Sequence, residues 1–455
     1  LPADHPRAAP PAALPPYPRP AYAWYVVVVL LVAYVLSFVD RDVLSLLVGE
    51  LKRELTLDDK QIGWLLGAPF ALFYATCGIF LAWLADHGSR RWVIFTGVVL
   101  WSVATVACGF ASTYEQLFVA RIGVAVGEAA LTPPALSLLK DYFPPERIGR
   151  AIGLYTAGVS GGGGLANVIG GAVLPGLLAG GAITLPLAGR LEPWQLMFVL
   201  VGLPGVLVAL LILTIREPLR REPIATRAAG TLLDCIKHVR QNARLFAPLF
   251  IGLAGIAIMA YGVNYWIPEF FRRTYGLGPE ELGQVIRWRG WLLLGFGLIG
   301  VLTGGWLCDK LRTRYDDGYV RVALIGYAFL IVGYTLLPLM PTPALAIAMV
   351  APATIGGAMP TAAGAAAVIS VAPAAMRAQI TAIYYFTLNL LGFAIGPFAV
   401  AWLTQDVFAD ESKLRYSLAI VAFMCAAVGA LLLLATLVPF RRRIAELAAV
   451  PRGLS

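Results

Sequence analysis

Residues 37–45 read SFVDRDVLS and place Asp40, Arg41 and Asp42 in a row inside a long apolar run. A second apolar run, 116–139, carries Arg121 and Glu128 seven residues apart, two turns along one helix face that Thr132 continues. A charge at mid-bilayer costs about 2.5–3.5 kcal/mol on insertion scales, so such residues need a partner, a water-filled cavity, or both. Burial favours a neutral carboxyl and a neighbouring arginine a charged one. Asp40 and Glu128 are therefore expected to exchange protons, and Arg41 and Arg121 to hold an anionic group. Tyr34 and Ser37 share the face of Arg41 and Ser45 and join the expected ligand site. Asp40 and Arg121 are expected to be level and to pair, with Glu128 deeper. Asp42 is expected near the outer interface, in solvent.

The stretch YGVNYW adds Tyr261, Asn264, Tyr265 and Trp266, a neutral aromatic wall facing the charged helices. Charges on one side and aromatic rings on the other suit an amphipathic ligand. Glu269, Arg272 and Arg273 read as mouth charges, and Arg287 and Arg289 as interfacial ones at the start of a helix. The five cysteines are scattered, and the three histidines fall in predicted loops or tails. Neither a metal site nor a nucleophile–base pair is legible, so no enzyme is expected, no cofactor, and the proton alone as coupling ion. GVSGGGGLANVIGG (158–171) lacks the strand–turn–helix setting of a phosphate loop; its small residues suit close helix packing.

The elements that must position these groups are membrane helices. The 455 residues are 59% hydrophobic and 13% charged, against about 25% charged in soluble domains. The net charge of +9 sits in short stretches between apolar runs, which argues for a membrane surface and against nucleic acid. Twelve apolar runs are each about long enough to span a bilayer. The chain divides into a disordered head (1–20), a six-helix half (21–215), a linker with an amphipathic helix (216–244), a second six-helix half (245–440) and a basic tail (441–455). Lys and Arg concentrate in the loops on the side of the N-terminus, which places both termini in the cytoplasm. AWLADHGSRR (82–91) and GWLCDKLRTR (305–314) match at an offset of 223 residues, from Ala82 to Gly305, the mark of a repeat-built transporter. By that offset Asn264 corresponds to Arg41.

These loops resemble the signature of the major facilitator superfamily, with Ala82, His87 and Ser89 as departures and Asp86, Arg90, Arg91, Gly305, Asp309, Lys310, Arg312 and Arg314 kept. FVDRDVLS, RIGVAVGEAA, YGVNYWIPEFFRRTYGL and GFAIGP together resemble the spinster-like branch, from about Tyr22 to Phe440. The resemblance implies an all-α membrane protein of the major facilitator fold that exports lysolipids or sphingoid lipids, with proton coupling in some members. It also implies a cytoplasmic gate of Asp86, Arg90, Arg91, Arg147 and Asp309. The first-helix Asp-Arg motif resembles organic-anion symporters as well, which gives the alternative reading. Gly158 and Gly162 meet the antiporter pattern of the fifth helix only in part, since Gly163 stands where proline is expected; Gly392, Gly396 and Pro397 meet it in the eleventh. A monomer in a bacterial inner membrane is expected.

Overall fold

The structure, a computed structural model, describes residues 16–185, 189–221, 232–373 and 376–449. The expected disordered head up to residue 15, linker residues 222–231 and the last six residues of the basic tail lie outside the described residues.

Among the described residues twelve helices are long and apolar enough to cross a membrane. They are α1 (Pro20–Leu46), α2 (Asp59–His87), α3 (Arg90–Cys108), α4 (Tyr114–Tyr142), α5 (Pro145–Gly180) and α6 (Pro193–Leu213) in the first half. In the second half they are α7 (Ala243–Asn264), α8 (Pro279–Arg312), α9 (Gly318–Leu339), α10 (Pro343–Val371), α11 (Gln379–Val407) and α12 (Glu411–Leu447). Their starts follow local chemistry. Asp58 and Gln61 close a capping box before α2, Thr113 caps α4, and Pro145, Pro193 and Pro279 occupy first-turn positions. Pro133 and Pro134 follow the point where α4 is interrupted, after Ala129. Large apolar side chains such as Trp83, Leu207, Trp288, Leu302 and Leu431 point outward, the inverse of a water-soluble surface and what lipid requires.

Several elements had no signal in the apolar pattern. A hairpin pairs β1 (Ile183–Leu185) with β2 (Gly189–Leu191) between α5 and α6. Short helices Val48–Leu55 and Ile267–Tyr275 precede α2 and α8. The last helix runs on through Arg441–Arg443 to Ala449. In the linker, where the sequence does signal an amphipathic helix, the helix Leu232–Gln241 rests on the second half, with Cys235 Sγ 2.5 Å from Gln379 Oε1.

Two seams join the halves, α5 against α8 and α2 against α11. The first is a glycine contact at which backbones touch. A Cβ on Gly290 would lie 2.7 Å from both Gly164 O and Val168 N, and one on Gly171 2.6 Å from Gly283 O. Main chain cannot swing aside as a side chain can. Gly290→Leu is therefore expected to splay this seam. Cysteine crosslinking between α5 and α8, which should fall to background, checks it; wild-type crosslinking would refute it.

The two ends of the bundle differ. At the distal end, remote from both termini, ion pairs cross between halves: Arg273 with Asp59 at 2.7 Å, Lys52 with Glu411 at 2.7 Å and Lys60 with Asp406 at 2.9 Å. At the proximal end, which carries the termini, the described clusters stay within one half. Arg90 binds Asp141 and Glu217, and Asp317 binds Arg321 and Arg441.

Candidate functional site

Three successive helical residues point about 100° apart, and the DRD triplet uses all three directions. Arg41 turns toward α4, where its Nε donates to Glu128 Oε2 in a fully buried ion pair. Its guanidinium carbon stands 4.7 Å from the ring centre of Phe70 and 4.9 Å from those of Phe38 and Tyr74, a cage that favours a cation electrostatically. Asp40 turns toward α3, where its Oδ2 accepts a 2.8 Å hydrogen bond from Thr105. Asp42 turns toward α5, against Gly163.

This corrects the expected pairing. Asp40 and Arg121 are level, but Arg121 Nη1 reaches the Asp40 backbone carbonyl at 3.5 Å and makes no ion pair with the carboxylate. The side chain of Asp40 is already turned to Thr105, so the deep pair is Arg41 with Glu128. One oxygen of each carboxylate, Asp40 Oδ1 and Glu128 Oε1, has no partner although buried, nor does Arg121 Nε. Asp42 is half-buried within electrostatic reach of Arg289, rather than out in solvent.

Aromatic rings line the charges. Tyr34 stacks on Tyr155 with centroids 4.6 Å apart, and Tyr155 OH reaches Thr132 at 3.2 Å. Across the molecule, Tyr261 stacks on Phe393 at 3.8 Å, and Tyr265 packs beside it. Two expected ligand residues are committed elsewhere. Ser37 gives its hydroxyl to Tyr34 O in its own helix, and Trp266 gives its indole N–H to Pro397 O in α11. Asn264 donates to Tyr334 OH at 2.8 Å and accepts from Arg289 Nη2 at 2.9 Å.

Arg289, expected at an interface, is instead 4% exposed, inside the bundle. The signal was present in GPEEL. Gly278 N–H bonds Glu281 Oε2 and Pro279 takes the first turn, so α8 starts at Pro279 and Arg289 lies ten residues, about 15 Å, along it. Arg287 is exposed near the distal end. Glu269 and Arg273, read as mouth charges, belong to the buried distal clasp.

At the proximal end the expected gate residues do not form one cluster. Arg90 is fully buried and donates to Glu217 at 2.7 Å, to Ser137 O and Pro218 O at 3.1 Å, and to Asp141. Arg91 gives its backbone N–H to Glu217 at 2.9 Å. Asp86 reaches Arg220 at 4.0 Å rather than the expected Arg90, Arg91 or Arg147. Arg147 and Asp309 are exposed. Burial pushes the Glu217 carboxyl up, but hydrogen bonds from Arg91 N–H, Arg90 and Ser89 outweigh it and hold it below its ordinary value. A lowered carboxyl stabilises the fold above its unfolded-state value, and that contribution is lost as pH falls through the folded-state one. Removing one partner of such a network costs about 3–5 kcal/mol. Arg90→Ala is thus expected to lower the melting temperature by several degrees at neutral pH, with a smaller deficit at strongly acidic pH. Equal melting at neutral pH would refute it.

Residues 30–396 match the family model of the Major Facilitator Superfamily. The chain is 28% identical over 433 residues to an MFS-type efflux pump of Mycolicibacterium smegmatis, covering 94% of this chain and 95% of the relative. It is 25% identical to a hexuronate transporter of Bacillus subtilis over 64% of this chain and 65% of the relative. Among solved structures, a bacterial homologue of the human lysosomal transporter Spinster, in an inward-facing and unoccupied conformation, matches with a TM-score of 0.76 and 27% identity. That match covers 94% of this chain and 99% of the other.

Proposed function

The chain belongs to the Major Facilitator Superfamily, and from that premise we propose that it is a secondary active transporter that moves an amphipathic lipid, of the lysophospholipid or sphingoid class, by proton-coupled alternating access. The observation that carries this reading is the set of buried charges on α1 and α4. Asp40 and Glu128 each keep one oxygen without a partner beside Arg41 and Arg121. Rings of Tyr34, Phe70, Tyr74, Tyr261 and Phe393 surround them.

In this reading a proton arriving at Glu128 removes the charge that holds Arg41. Arg41 then becomes available to an anionic head group, while the aromatic walls take the apolar tail. Loss of the proton restores the Arg41–Glu128 contact and expels the head group. Asp40, held by Thr105 beside Arg121, is the second proton site. With both termini cytoplasmic, as the Lys and Arg distribution supports, the distal clasp is the outer gate and the site opens inward. Asp86, Arg147 and Asp309 then stand where an inner latch forms as the halves rock, in a bacterial inner membrane. Lipid is what the spinster-like resemblance of the sequence implies, and the solved Spinster homologue shares the fold. A second reading, proton-coupled symport of an organic anion, is favoured by the buried Arg289 and by the likeness to the hexuronate transporter.

Proteoliposomes under an imposed pH gradient separate these readings, with lysolipid, sphingoid lipid and glucuronate offered in parallel to wild type and Asp40→Asn. Gradient-driven lipid movement lost in the variant supports the first reading. Glucuronate movement alone transfers the assignment to the second. Lipid movement indifferent to the gradient removes proton coupling.

A further inference from the structure

We propose that Arg289, held between Asn167 and Asn264, is an anion-binding site on the seam of the two halves that receives the acidic group, a phosphate or carboxylate, of the transported molecule. This rests on the transporter reading above and narrows its substrate class.

The site is built. Arg289 Nη1 donates to Asn167 Oδ1 on α5, in the opposite half, and Nη2 to Asn264 Oδ1 at 2.9 Å. Both amides are oriented by their own N–H groups, since Asn167 donates to Gly163 O at 2.7 Å and Asn264 to Tyr334 OH at 2.8 Å. Their oxygens are thereby aimed at the guanidinium. Arg289 Nε is buried and has no partner. Neutral amides satisfy N–H groups but do not compensate a charge, and an uncompensated cation in the membrane interior is costly.

The charges of the site show what is missing. Asp40, Asp42 and Glu128 give three negative charges when ionised, and Arg41 and Arg121 two positive ones. Arg289 brings the sum to zero. Arg41 is held by the Glu128 carboxylate, whereas Arg121 and Arg289 are held by neutral oxygens alone. Arg289 makes no ion pair with Asp42, although the two interact electrostatically. One proton on a carboxylate therefore leaves the site with an excess positive charge shared by Arg41, Arg121 and Arg289, and Arg289 is the one of the three held by an amide from each half. An anion is then bound together with the proton and released with it. A planar guanidinium matches phosphate or carboxylate oxygens in a fork. An anion on Arg289 also competes with Asn167 for Nη1, next to the Gly164–Gly290 contact, so binding loosens this seam.

The test is thermal stabilisation of the purified full-length protein by inorganic phosphate, lysophosphatidate and glucuronate, with sphingosine as the cationic control. It compares wild type, Arg289→Gln, Arg289→Lys and Arg287→Gln, the last an exposed arginine on the same helix. Stabilisation by at least one anion is expected in wild type and Arg287→Gln. Arg289→Gln should need at least tenfold more anion, and Arg289→Lys an intermediate amount. Which anion acts tells phosphate from carboxylate chemistry. Equal anion response in wild type and Arg289→Gln overturns the site, as does a wild type stabilised by sphingosine alone or by no anion. The liposome assay stands apart: anion binding through Arg289 without lipid movement would end the lipid reading and leave the site.

Discussion

Glu128→Gln is expected to reduce pH-gradient-driven transport at least 100-fold and to lower the melting temperature, whereas the double variant Arg41→Met, Glu128→Leu is expected to melt near wild type and still not transport. The argument rests on what burial does to an ion pair. Arg41 and Glu128 have side chains 6% and 0% exposed and contact one another directly. Glutamine keeps an oxygen for Arg41 Nε but leaves the guanidinium uncompensated, and breaking a buried pair from one side costs about 3–5 kcal/mol. The rings of Phe38, Phe70 and Tyr74 face the guanidinium in the wild type already, so their cation–π attraction does not offset that loss. Apolar residues of similar volume remove both charges and often match the stability of the original pair. Stability and transport thus separate: the double variant folds without the proton site, and the single variant loses both. Thermal melts in detergent with liposome uptake decide it. If the single and double variants melt alike, the pair is not energetically coupled; if Glu128→Gln still accumulates substrate under the gradient, Glu128 is not the proton site.

The fold was legible because membrane helices write themselves as length and apolarity, and the 223-residue echo of the Asp86 and Asp309 loops divides them into halves. The site was legible at the level of faces. Arg41, Glu128, Tyr34 and Tyr261 meet in the interior as their spacing suggested. Partner choice was not legible, because it depends on which helix stands beside each face. Asp40 faces Thr105 on α3, a residue with no charge to mark it. Arg90 finds Asp141 and Glu217, which look in sequence like ordinary loop-edge charges. Asn167 lies within a glycine-rich stretch read only as packing, yet it carries the hydrogen bond across the seam. Arg289 is misplaced by its sequence because the apolar run opens only at Val285, six residues after α8 itself starts at Pro279. At 1.5 Å per residue that error moves a side chain about 9 Å, enough to turn a buried charge into an interfacial one.

The distal clasp yields the other large effect. Arg273→Glu is expected to shift the protein from closed to open at the distal end, and the charge swap Asp59→Arg, Arg273→Asp is expected not to restore closure. Arg273 grips both oxygens of Asp59 at 2.7 and 2.8 Å and turns its Nε to Glu269 at 2.5 Å. Lys52 holds Asp59 from the other side at 2.5 Å. Asp59 lies in the first half and Arg273 in the second, and both carboxylates are 2% exposed. Burial pushes the Glu269 carboxyl up, but Arg272 and Arg273 outweigh it and hold it below its ordinary value. Its contribution is therefore full at neutral pH and is lost only as pH falls through that lowered value. Reversing the charge of Arg273 sets a carboxylate against those of Asp59, Glu269 and Glu411, a penalty of at least the roughly 3–5 kcal/mol of a broken buried pair. Since about 5.5 kcal/mol carries an equilibrium from 1:99 to 99:1, most of the population should change state. The swap fails for a geometric reason: it sets a second cation against Lys52 and a second anion against Glu269 and Glu411, so it repairs one contact and breaks three. Spin labels at exposed Glu115 and Lys413, at the distal end, and at exposed Glu146 and Lys310, at the proximal end, report the outcome. The distal distance should lengthen and the proximal one shorten in Arg273→Glu and in the swap alike. A swap that restores wild-type distances would mean that Asp59 and Arg273 act as an isolated pair and that Lys52 and Glu269 are bystanders to closure.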